Sequence, residues 1–418
     1  MKLHGEIKLP GDKSITHRAL MIGAMCEGDV IVNNPLISED IMASINILIA
    51  LGIEVKQYHD HLIICGKGIM GFTKPKIRLN CFNSGTTARL LLGLLTGYDF
   101  DAVLIGDKSL SKRPMRRVVK HLQALNSKIL LKEENYLPAH ILPTNICANQ
   151  IKLDVSSAQV KTAVMLAALK SKKTTTIYEL TKSRDHTERL LAYLGCDISV
   201  KGLEIKLSGK NELKPLAISV PGDFSAAAFF IVATLITPGS EILIKACGLN
   251  STRSGIFTVL KQIGANIKIF NQKTVNNEIS GDILIKYQDK LKPFLIDGAL
   301  VPLLIDEIPI LALLATQIDG ISIIKSASEL RVKESDRIKV TTEVLSLLNA
   351  DVRELKDGLI ISGKTRLKPQ VVNTYNDHRI SMMLKVARLI CEDLIIINSD
   401  CDKISYPEFE NDLRILMK

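Results

Sequence analysis

Tryptophan is absent from the 418 residues, and only 4% of them are aromatic. Proteins that hold bases or sugars by stacking rely on aromatic side chains, so the composition argues against such ligands. The basic residues form no run of five or six, although Lys and Arg outnumber Asp and Glu by 54 to 44. A net charge of +10 that is scattered in this way favours small anionic ligands over nucleic acid.

The cysteines show no CxxC spacing, and most of the eight lie among apolar residues. This pattern predicts free thiols in a reducing compartment, with no disulfide framework and no zinc site. The N-terminus lacks the apolar stretch of a signal peptide, and the longest apolar segment, residues 299–318, contains Asp306 and Glu307. We therefore expect a cytoplasmic protein that does not enter the membrane, in which residues 299–318 belong to a buried core.

An internal repeat divides the chain. Residues 10–14, with the sequence PGDKS, return 211 positions later as residues 221–225, PGDFS. An apolar stretch precedes each copy and a helix-like run follows it, which predicts two related halves. Only the first copy carries Lys13 and, one turn further on, Arg18. The charge on one copy indicates an anion site near the point where the halves meet.

A shorter repeat runs through both halves. Five amphipathic helical runs end at Gly or Asn, 69 to 85 residues apart, and an extended apolar segment follows each. The ends are Gly52, Asn126, Gly195, Gly264 and Asn349. Gly and Asn end helices in the left-handed conformation, and we interpret the unit as strand, helix, strand, helix, strand, strand. Five clear copies and a less regular C-terminal one predict six units, three in each half.

Four further helical runs are apolar on nearly every face, so we expect them to be buried. They are residues 18–25, 87–95, 160–169 and 225–236. Each follows small polar residues that are suited to N-capping. If the helices of one half run parallel, their N-terminal partial charges converge on one surface and attract anions. Ordinary capping without a ligand is the alternative for any single helix.

Two basic clusters lie in the first half. Residues 106–117 form the densest one and contain Arg113 before Pro114, which holds Arg113 extended. This segment is either a solvated loop or a loop that closes over an anion. Residues 183–189 begin a polar helix, in which Arg184 either reaches a phosphate or takes part in ordinary salt bridges.

Two more clusters lie in the second half. Residues 331–337 carry five charges in seven positions, and residues 376–379 precede an apolar helix. An exposed charged turn is the alternative in each case. Asp306 differs, because it lies in an otherwise apolar segment. Burial raises a carboxyl pKa and nearby cations lower it, so Asp306 is a candidate general base, with a buried ion-pair partner as the alternative.

The sequence resembles the 5-enolpyruvylshikimate-3-phosphate synthase family. The resemblance lies in the stretches LPGDKSITHRAL, NSGTTARLLLG, GDKSLSKRPM, SSAQVKTAVMLAAL, SRDHTERLL, VPGDFSAAAFF, LRVKESDRI and YNDHRISMM, which span the chain in family order. It implies a mixed α/β fold: a two-domain inside-out α/β barrel with three βαβαββ units per domain and the active site in the cleft between the domains. The expected domains are residues 13–222 and residues 1–12 plus 223–418. The SRDHTE stretch favours the class II branch.

The resemblance also implies an activity. It is the transfer of the enolpyruvyl group of phosphoenolpyruvate to the 5-hydroxyl of shikimate 3-phosphate, with release of phosphate, in the shikimate pathway of aromatic amino-acid biosynthesis. The implied reaction is an addition followed by an elimination, without a metal or an organic cofactor. We expect a monomer whose partners are these two anionic substrates.

The site residues implied by the resemblance are carried over motif by motif. Those expected to bind shikimate 3-phosphate are Lys13, Ser14, Arg18, Ser157, Gln159, Arg184, Asp306 and Lys333. Those expected to bind phosphoenolpyruvate are Lys13, Gly85, Arg113, Gln159, Arg337 and Arg379. Asp306 is expected to accept the proton of the 5-hydroxyl and Glu334 to protonate the methylene carbon, with Lys13 as the third catalytic residue.

Two positions depart from the family pattern. Ala158 stands where some members have Ser, and Ile404 stands where others have Lys, with Lys403 one position away. The alternative functions are a UDP-N-acetylglucosamine enolpyruvyl transferase and a non-catalytic anion- or RNA-binding module on the same fold. The Lys13-Ser14 pair counts against the first, which has Lys-Asn there. Carboxylates placed beside the cations count against the second.

Overall fold

The computed structural model describes residues 2–418, which form two compact units. The N-terminal unit comprises Gly11–Val220 and Val275–Glu278; the C-terminal unit comprises the described residues up to Pro10, Pro221–Thr274 and Ile279–Lys418. The chain passes from one unit to the other beside each copy of the PGD turn. The functional domain boundaries at residues 12 and 222 stay a prediction.

The described strands, in chain order, are β1 (His4–Lys8), β2 (Glu27–Asn33), β3 (Glu54–Gln57), β4 (His61–Lys67), β5 (Leu79–Asn80), β6 (Ala102–Ile105), β7 (Lys128–Lys132), β8 (Tyr136–Leu142), β9 (Gln150–Lys152), β10 (Thr175–Tyr178), β11 (Asp197–Lys201), β12 (Glu204–Ser208), β13 (Ile218–Ser219), β14 (Glu241–Gly248), β15 (Asn266–Val275), β16 (Glu278–Lys286), β17 (Leu295–Ile296), β18 (Gly320–Ile324), β19 (Asp351–Leu355), β20 (Gly358–Gly363), β21 (Val371–Asn373) and β22 (Ile395–Ile397). The α-helices are α1 (Lys13–Gly23), α2 (Glu39–Ala50), α3 (Gly85–Leu95), α4 (Arg116–Gln123), α5 (Ala158–Ala168), α6 (His186–Tyr193), α7 (Phe224–Ile236), α8 (Ile256–Ile263), α9 (Ile308–Thr316), α10 (Arg337–Leu347), α11 (His378–Ala387) and α12 (Phe409–Leu416).

The sheets repeat one pattern. Within residues 2–418 the strand orders are β13-β2-β4-β3, β5-β6-β8-β7, β9-β10-β12-β11, β1-β14-β16-β15, β17-β18-β20-β19 and β21-β22. The first two strands of each sheet are parallel, and in the four-stranded sheets the third is antiparallel to the second. The predicted βαβαββ unit is confirmed, and the less regular sixth copy is the sheet without its last two strands.

At each point where the chain passes between the units, a short strand pairs with a sheet of one unit and leads into a helix of the other. Strand β1 pairs with β14 of the C-terminal unit, but the chain after β1 continues into α1 of the N-terminal unit. Strand β13 pairs with β2 of the N-terminal unit, but it leads into α7 of the C-terminal unit. A parallel pair needs a long crossover connection, and here each crossover includes a whole unit. The PGD turns are the loops that make these two exchanges.

Each unit has its own hydrophobic core, built around the helices that the sequence predicts to be buried. Helices α1, α3 and α5 lie in the core of the N-terminal unit. Helices α7, α9 and α11 lie in the core of the C-terminal unit, and all thirteen residues of α7 are buried. Helices α3, α5, α7 and α9 are central because they are apolar on nearly every face. Helices α1 and α11 are also buried, although both carry charged side chains.

The five predicted helix ends have the left-handed backbone conformation. Their φ angles are 88° at Gly52, 69° at Asn126, 88° at Gly195, 73° at Gly264 and 73° at Asn349. A strand follows each of them, namely β3, β7, β11, β15 and β19. The helix-to-strand repeat predicted from Gly and Asn is therefore confirmed.

The apolar segment 299–318 is part of the C-terminal core. It forms parts of the 3-10 turns Gly298–Leu303 and Ile305–Glu307 and the whole of α9, in which all nine residues are buried. The expectation of a buried core segment is confirmed. Across residues 2–418, no helix has both the length and the apolar character needed to cross a membrane.

Candidate active site

The first PGD turn places Lys13 at the start of α1. Asp12 caps the helix, with its Oδ1 accepting from the backbone N of Ile15 at 2.9 Å. A Cβ atom on Gly11 would lie 2.0 Å from the carbonyl oxygen of Asn34, so only glycine fits. Lys13 Nζ lies 3.1 Å from Asp40 Oδ2, and both side chains are partly exposed. The turn thus presents a cation at the positive end of a helix.

Arg18 is buried between three helices. Its Nε donates to Thr187 Oγ1 at 2.7 Å and its Nη2 donates to Thr162 Oγ1 at 2.9 Å. Its Nη1 donates to the carbonyl oxygen of Ser14 at 2.9 Å. These three neutral acceptors hold the guanidinium group in one orientation. A planar guanidinium group held in this way is suited to the geometry of phosphate and carboxylate oxygens.

Gly85, the first residue of α3, faces Arg113. Arg113 follows the 3-10 turn Leu110–Lys112, and its Nη2 donates to Asn83 Oδ1 at 2.5 Å and to Ser109 Oγ at 3.2 Å. A Cβ atom on Gly85 would lie 3.2 Å from Arg113 Nη1. A side chain at residue 85 would therefore press against this guanidinium group, and glycine lets the start of α3 lie close to it.

Helices α3 and α5 begin side by side. Ser157 precedes α5, and Gln159 is its second residue. Gln159 Nε2 donates to Oγ1 of Thr86, the second residue of α3, at 2.9 Å. Gln159 Oε1 accepts from Arg89 Nη1 at 2.6 Å. The two positive helix ends therefore lie together, as the sequence analysis expects for an anion site.

Arg184 lies partly buried in the segment between β10 and α6. The next residue, Asp185, precedes α6 and accepts from Arg189 Nε at 2.7 Å. Asp185 and Arg189 thus form a salt bridge at this helix start. The role of Arg184 as a phosphate ligand stays a prediction.

In the C-terminal unit, the buried Arg337 lies among three carboxylates. Its Nε donates to Asp377 Oδ2 at 2.8 Å, its Nη2 to Glu334 Oε2 at 2.6 Å and its Nη1 to Asp306 Oδ1 at 3.3 Å. Burial by itself would lower the pKa of this guanidinium group, but the three carboxylates outweigh burial and raise the pKa. Arg337 is therefore charged throughout the accessible pH range.

Asp306 occupies the position predicted for a general base. It lies in the 3-10 turn Ile305–Glu307, and its Oδ1 is 3.5 Å from Lys333 Nζ as well as close to Arg337. The neighbouring Glu307 is fully buried and accepts from Ser225 Oγ, which ties the turn to the start of α7. Asp306 thus lies beside two cationic side chains of its own unit.

Arg379 is the second residue of α11, and its surroundings differ from those of Arg337. Asp377 caps this helix by accepting from the backbone N of Arg379 at 2.9 Å. The Arg379 guanidinium group is buried and lies 5.9 Å from the centre of the Phe229 ring. Its Nε is buried and lacks a hydrogen-bond partner among residues 2–418. A buried cation against an aromatic face is suited to bind an anionic ligand.

The second PGD turn carries no catalytic candidate. Phe224 stands in the place of Lys13; it is buried, and its ring centre lies 5.0 Å from that of Phe257. Asp223 caps α7 and also accepts from Arg253 Nη2 at 2.8 Å. This copy therefore has the same capping geometry, but the residue after the cap packs into the hydrophobic core.

Several side chains that contact predicted site residues were not predicted from the sequence, and some of them are charged. Asp40 pairs with Lys13, Arg89 binds Gln159, and Asp377 binds Arg337. Arg89 and Asp377 lie within stretches that carry the family resemblance, so the sequence already marked these two positions as candidates for the site. Asp40 lies outside every such stretch, and only the folded chain brings it to α1.

Lys403 lies on the surface of the C-terminal unit. It belongs to the 3-10 turn Ser399–Ile404 and pairs with Asp400 at 3.1 Å. Across residues 2–418, no group of three or more His, Cys, Asp or Glu side chains is placed to hold a metal ion. The eight cysteines are free thiols.

The predicted site residues form one cationic group in each unit. The group in the N-terminal unit is Lys13, Ser14, Arg18, Gly85, Arg113, Ser157, Gln159 and Arg184. The group in the C-terminal unit is Asp306, Lys333, Glu334, Arg337 and Arg379. The first offers helix starts and cations for phosphate groups, and the second combines cations with two carboxylates that are able to transfer protons.

Comparison with known proteins agrees with the family resemblance. The family model described as EPSP synthase (3-phosphoshikimate 1-carboxyvinyltransferase) matches residues 1–413. A 3-phosphoshikimate 1-carboxyvinyltransferase of Oceanobacillus iheyensis is 46% identical over 418 residues, which cover 100% of this chain and 97% of that protein. One of Petrotoga mobilis is 47% identical over 413 residues, which cover 97% of this chain and 95% of that protein.

A solved structure supports the fold as well. The EPSP synthase of Acinetobacter baumannii superimposes with a TM-score of 0.88 at 36% identity, covering 99% of this chain and 96% of that one. The predicted enolpyruvyl transferase fold, built of six repeated units, is confirmed. On the evidence of sequence, repeat pattern and fold, the chain belongs to the EPSP synthase family.

Proposed function

We propose that this protein transfers the enolpyruvyl group of phosphoenolpyruvate to the 5-hydroxyl of shikimate 3-phosphate and releases phosphate. The observation that carries the proposal is the contact of one arginine with two candidate acid–base groups, within a chain that matches the family over its whole length. Asp306 and Glu334 both accept hydrogen bonds from Arg337. A binding module would need the cations but not this pair of carboxylates.

The N-terminal group is assigned to recognition of the anions. Lys13, Ser14, Arg18 and Arg184 bind the phosphate of shikimate 3-phosphate, together with Ser157 and Gln159 at the start of α5. Arg113 and Gly85 bind phosphoenolpyruvate, and Lys13 and Gln159 contact both substrates. Helix starts and guanidinium groups match the charge and geometry of phosphate and carboxylate oxygens. Binding both substrates in fixed orientations lowers the entropic part of the barrier.

The C-terminal group is assigned to the chemistry. Glu334 donates a proton to the methylene carbon of phosphoenolpyruvate, which makes C2 electrophilic. Asp306 removes the proton of the 5-hydroxyl, and the oxygen attacks C2 to form a tetrahedral adduct. In the second step the Glu334 carboxylate takes back a proton from the new methyl group, and the phosphate leaves with the proton that Asp306 took up, which forms the enol ether product. Lys333 stabilises the charges that develop in both steps.

Arg337 and Arg379 are assigned to the binding of phosphoenolpyruvate, and the surroundings of their guanidinium groups differ before the substrate binds. Arg337 forms ion pairs with three carboxylates, so a substrate carboxylate has to compete with Asp306 and Glu334 for its Nη atoms. Asp377 is bound through both Nε and Nη2 and keeps the guanidinium plane fixed during that exchange. The Arg379 guanidinium group instead lies against the Phe229 ring. We expect Arg379 to contribute more binding energy per contact.

Phosphate release tests the proposal. Purified protein is mixed with phosphoenolpyruvate and either shikimate 3-phosphate or UDP-N-acetylglucosamine, and inorganic phosphate is measured over time. We expect release that depends on shikimate 3-phosphate. Release only with the nucleotide sugar would identify the sister enzyme, and no release with either acceptor would leave a binding module as the better explanation.

We propose a monomer that works in the cytoplasm, which fits a biosynthetic enzyme with free thiols. Light scattering after size exclusion is expected to give the mass of one chain, 46.1 kDa. A mass of twice that value would show a dimer.

A further inference from the structure

A buried cluster of charges lies behind the segment that carries Arg184. Lys161, in α5, has 0% of its side chain exposed, and its Nζ lies 3.0 Å from Glu179 Oε1 and 2.6 Å from Glu188 Oε1. The two carboxylate side chains are 2% and 4% exposed. Buried ion pairs contribute little net stability, because desolvation costs about as much as the pairing returns. A gain in stability therefore does not account for this cluster. The way in which it fixes the neighbouring backbone indicates its role.

The cluster fixes the chain just before Arg184. Glu179 Oε1 accepts from the backbone N of Ser183 at 2.9 Å and from the Ser183 hydroxyl at 2.5 Å. Lys161 Nζ donates to the carbonyl oxygen of Ser183 at 3.4 Å. The backbone N–H, the side chain and the carbonyl oxygen of Ser183 are thus all bound. Because Arg184 follows directly, these contacts set the direction in which its side chain leaves the backbone.

The same two helices also hold Arg18. Thr162 follows Lys161 in α5, and Thr187 precedes Glu188 in α6. The hydroxyl groups of Thr162 and Thr187 lie 2.6 Å apart, and both accept from the Arg18 guanidinium group. The ion pair and the threonine pair therefore join the same two helices at adjacent positions. A shift of α6 relative to α5 would therefore displace the groups that hold Arg18 and the groups that hold the segment of Arg184 at the same time.

We propose that Lys161, Glu179 and Glu188, acting through Ser183, are positioning residues for binding of the phosphate group of shikimate 3-phosphate. This inference rests on the proposed function, because it assigns Arg18 and Arg184 to that phosphate. The cluster does not contact the substrate. It holds two guanidinium groups in their binding geometry before the substrate arrives, so that less freedom is lost on binding.

The substitution Ser183→Ala tests the proposal, because it removes one hydroxyl group and leaves the three buried charges in place. We expect the KM for shikimate 3-phosphate to rise about tenfold, as for the loss of one hydrogen bond to a charged group. The KM for phosphoenolpyruvate and kcat are expected to stay within about twofold, since the cluster touches neither the other substrate nor the reacting atoms. Glu179→Gln keeps an acceptor oxygen of the same shape, and it is expected to give a smaller rise of about threefold.

Ser208→Ala is the matched control. Ser208, in β12 of the same unit, is buried and also donates to a carboxylate, Asp197 Oδ2, at 2.7 Å. Thermal unfolding is expected to show a similar loss of stability in the two alanine variants, whereas only Ser183→Ala raises the KM for shikimate 3-phosphate. Equal KM values in the two variants would overturn the positioning role alone. Absence of phosphate release in the unchanged protein would instead overturn the proposed function on which this inference rests.

Discussion

The two PGD turns share their capping geometry and differ in the residue that follows the cap. In the first, Asp12 caps α1 and Lys13 is the first residue of the helix. In the second, Asp223 caps α7 and Phe224 is the first residue of the helix. The same local structure thus presents a cation in one unit and packs an aromatic ring into the core in the other. The capping turn is architecture, and the residue after it decides whether the helix start has a chemical role.

The ion pairs around the two turns differ in the same way. Lys13 and Asp40 keep 15% and 11% of their side chains exposed, so a ligand is able to compete for the cation. Asp223 and Arg253 keep 10% and 3%, and Arg253 also donates to Ser225. The first pair is suited to exchange its partner for a substrate. The second pair is suited to fix the start of α7.

The largest expected effect separates the two residues that follow the caps. Lys13→Met is expected to lower kcat/KM for phosphate release by about 10²- to 10³-fold, the usual effect of removing one group that stabilises charge in the transition state. Its free energy of unfolding should change little, because Lys13 is partly exposed.

The control is Phe224→Leu at the equivalent position. It is expected to lower the free energy of unfolding by about 1 kcal/mol and to leave kcat/KM within about threefold, because the ring is a core group. Steady-state kinetics and urea unfolding of both variants check the pair. Similar activity losses in the two variants would end the distinction between the turns.

The second largest expected effect is a difference in stability between alanine substitutions at the glycines of the two turns. Gly11→Ala places a Cβ atom 2.0 Å from a backbone oxygen, and we expect a loss of about 3 kcal/mol in the free energy of unfolding. At Gly222 the nearest atom would lie 3.3 Å away, so the same substitution should cost less than about 1 kcal/mol. Urea unfolding compares the two variants. A larger loss at Gly222 would contradict the tighter packing of the first turn.

Each turn takes part in one ion pair that contains an aspartate, and the two aspartates are expected to affect different properties of the protein. Asp223→Asn weakens a buried ion pair, and we expect a loss of about 2 kcal/mol in the free energy of unfolding. Asp40→Asn weakens the partly exposed pair with Lys13, so stability should fall by less than about 1 kcal/mol while kcat/KM falls about threefold. Equal stability losses in the two variants would show that the two ion pairs serve the same purpose.

The smallest expected effect is a pH dependence that only the first helix possesses. Burial, then the charges of Lys13 and Arg18, lower the pKa of His17 well below its usual 6.5. Because the unfolded chain binds the proton more readily, stability should fall as pH drops below 6.5, by at most about 1.4 kcal/mol per pH unit. His17→Asn keeps a polar group near Ser44 and should remove this part of the pH dependence. Identical pH profiles of unfolding would contradict the assignment.

Much of the architecture could be predicted because it depends on local rules. Glycine or asparagine after an amphipathic helix predicted five left-handed ends, and all five have positive φ angles. Apolar residues on every face predicted the buried helices, and the repeated turn predicted two halves. These signals lie within a few residues of the features that they specify.

The contacts between site residues could not be predicted in the same way. Asp40 reaches Lys13 across 27 positions, and Arg18 reaches Thr187 across 169. No periodicity links residues so far apart, and their proximity results from the packing of α1 against α2, α5 and α6. The pairing of Lys161 with Glu179 and Glu188 was hidden for the same reason, since the lysine and its two partners lie far apart in the sequence.

The division of labour between binding and chemistry is tested most directly at Asp306. Asp306→Asn keeps the size of the side chain and removes its basicity. We expect calorimetry to show affinity for shikimate 3-phosphate within about tenfold of the unchanged protein, and phosphate release to be at least about 10²-fold slower. Phosphate release at an unchanged rate would contradict the role of Asp306 as the base that activates the 5-hydroxyl.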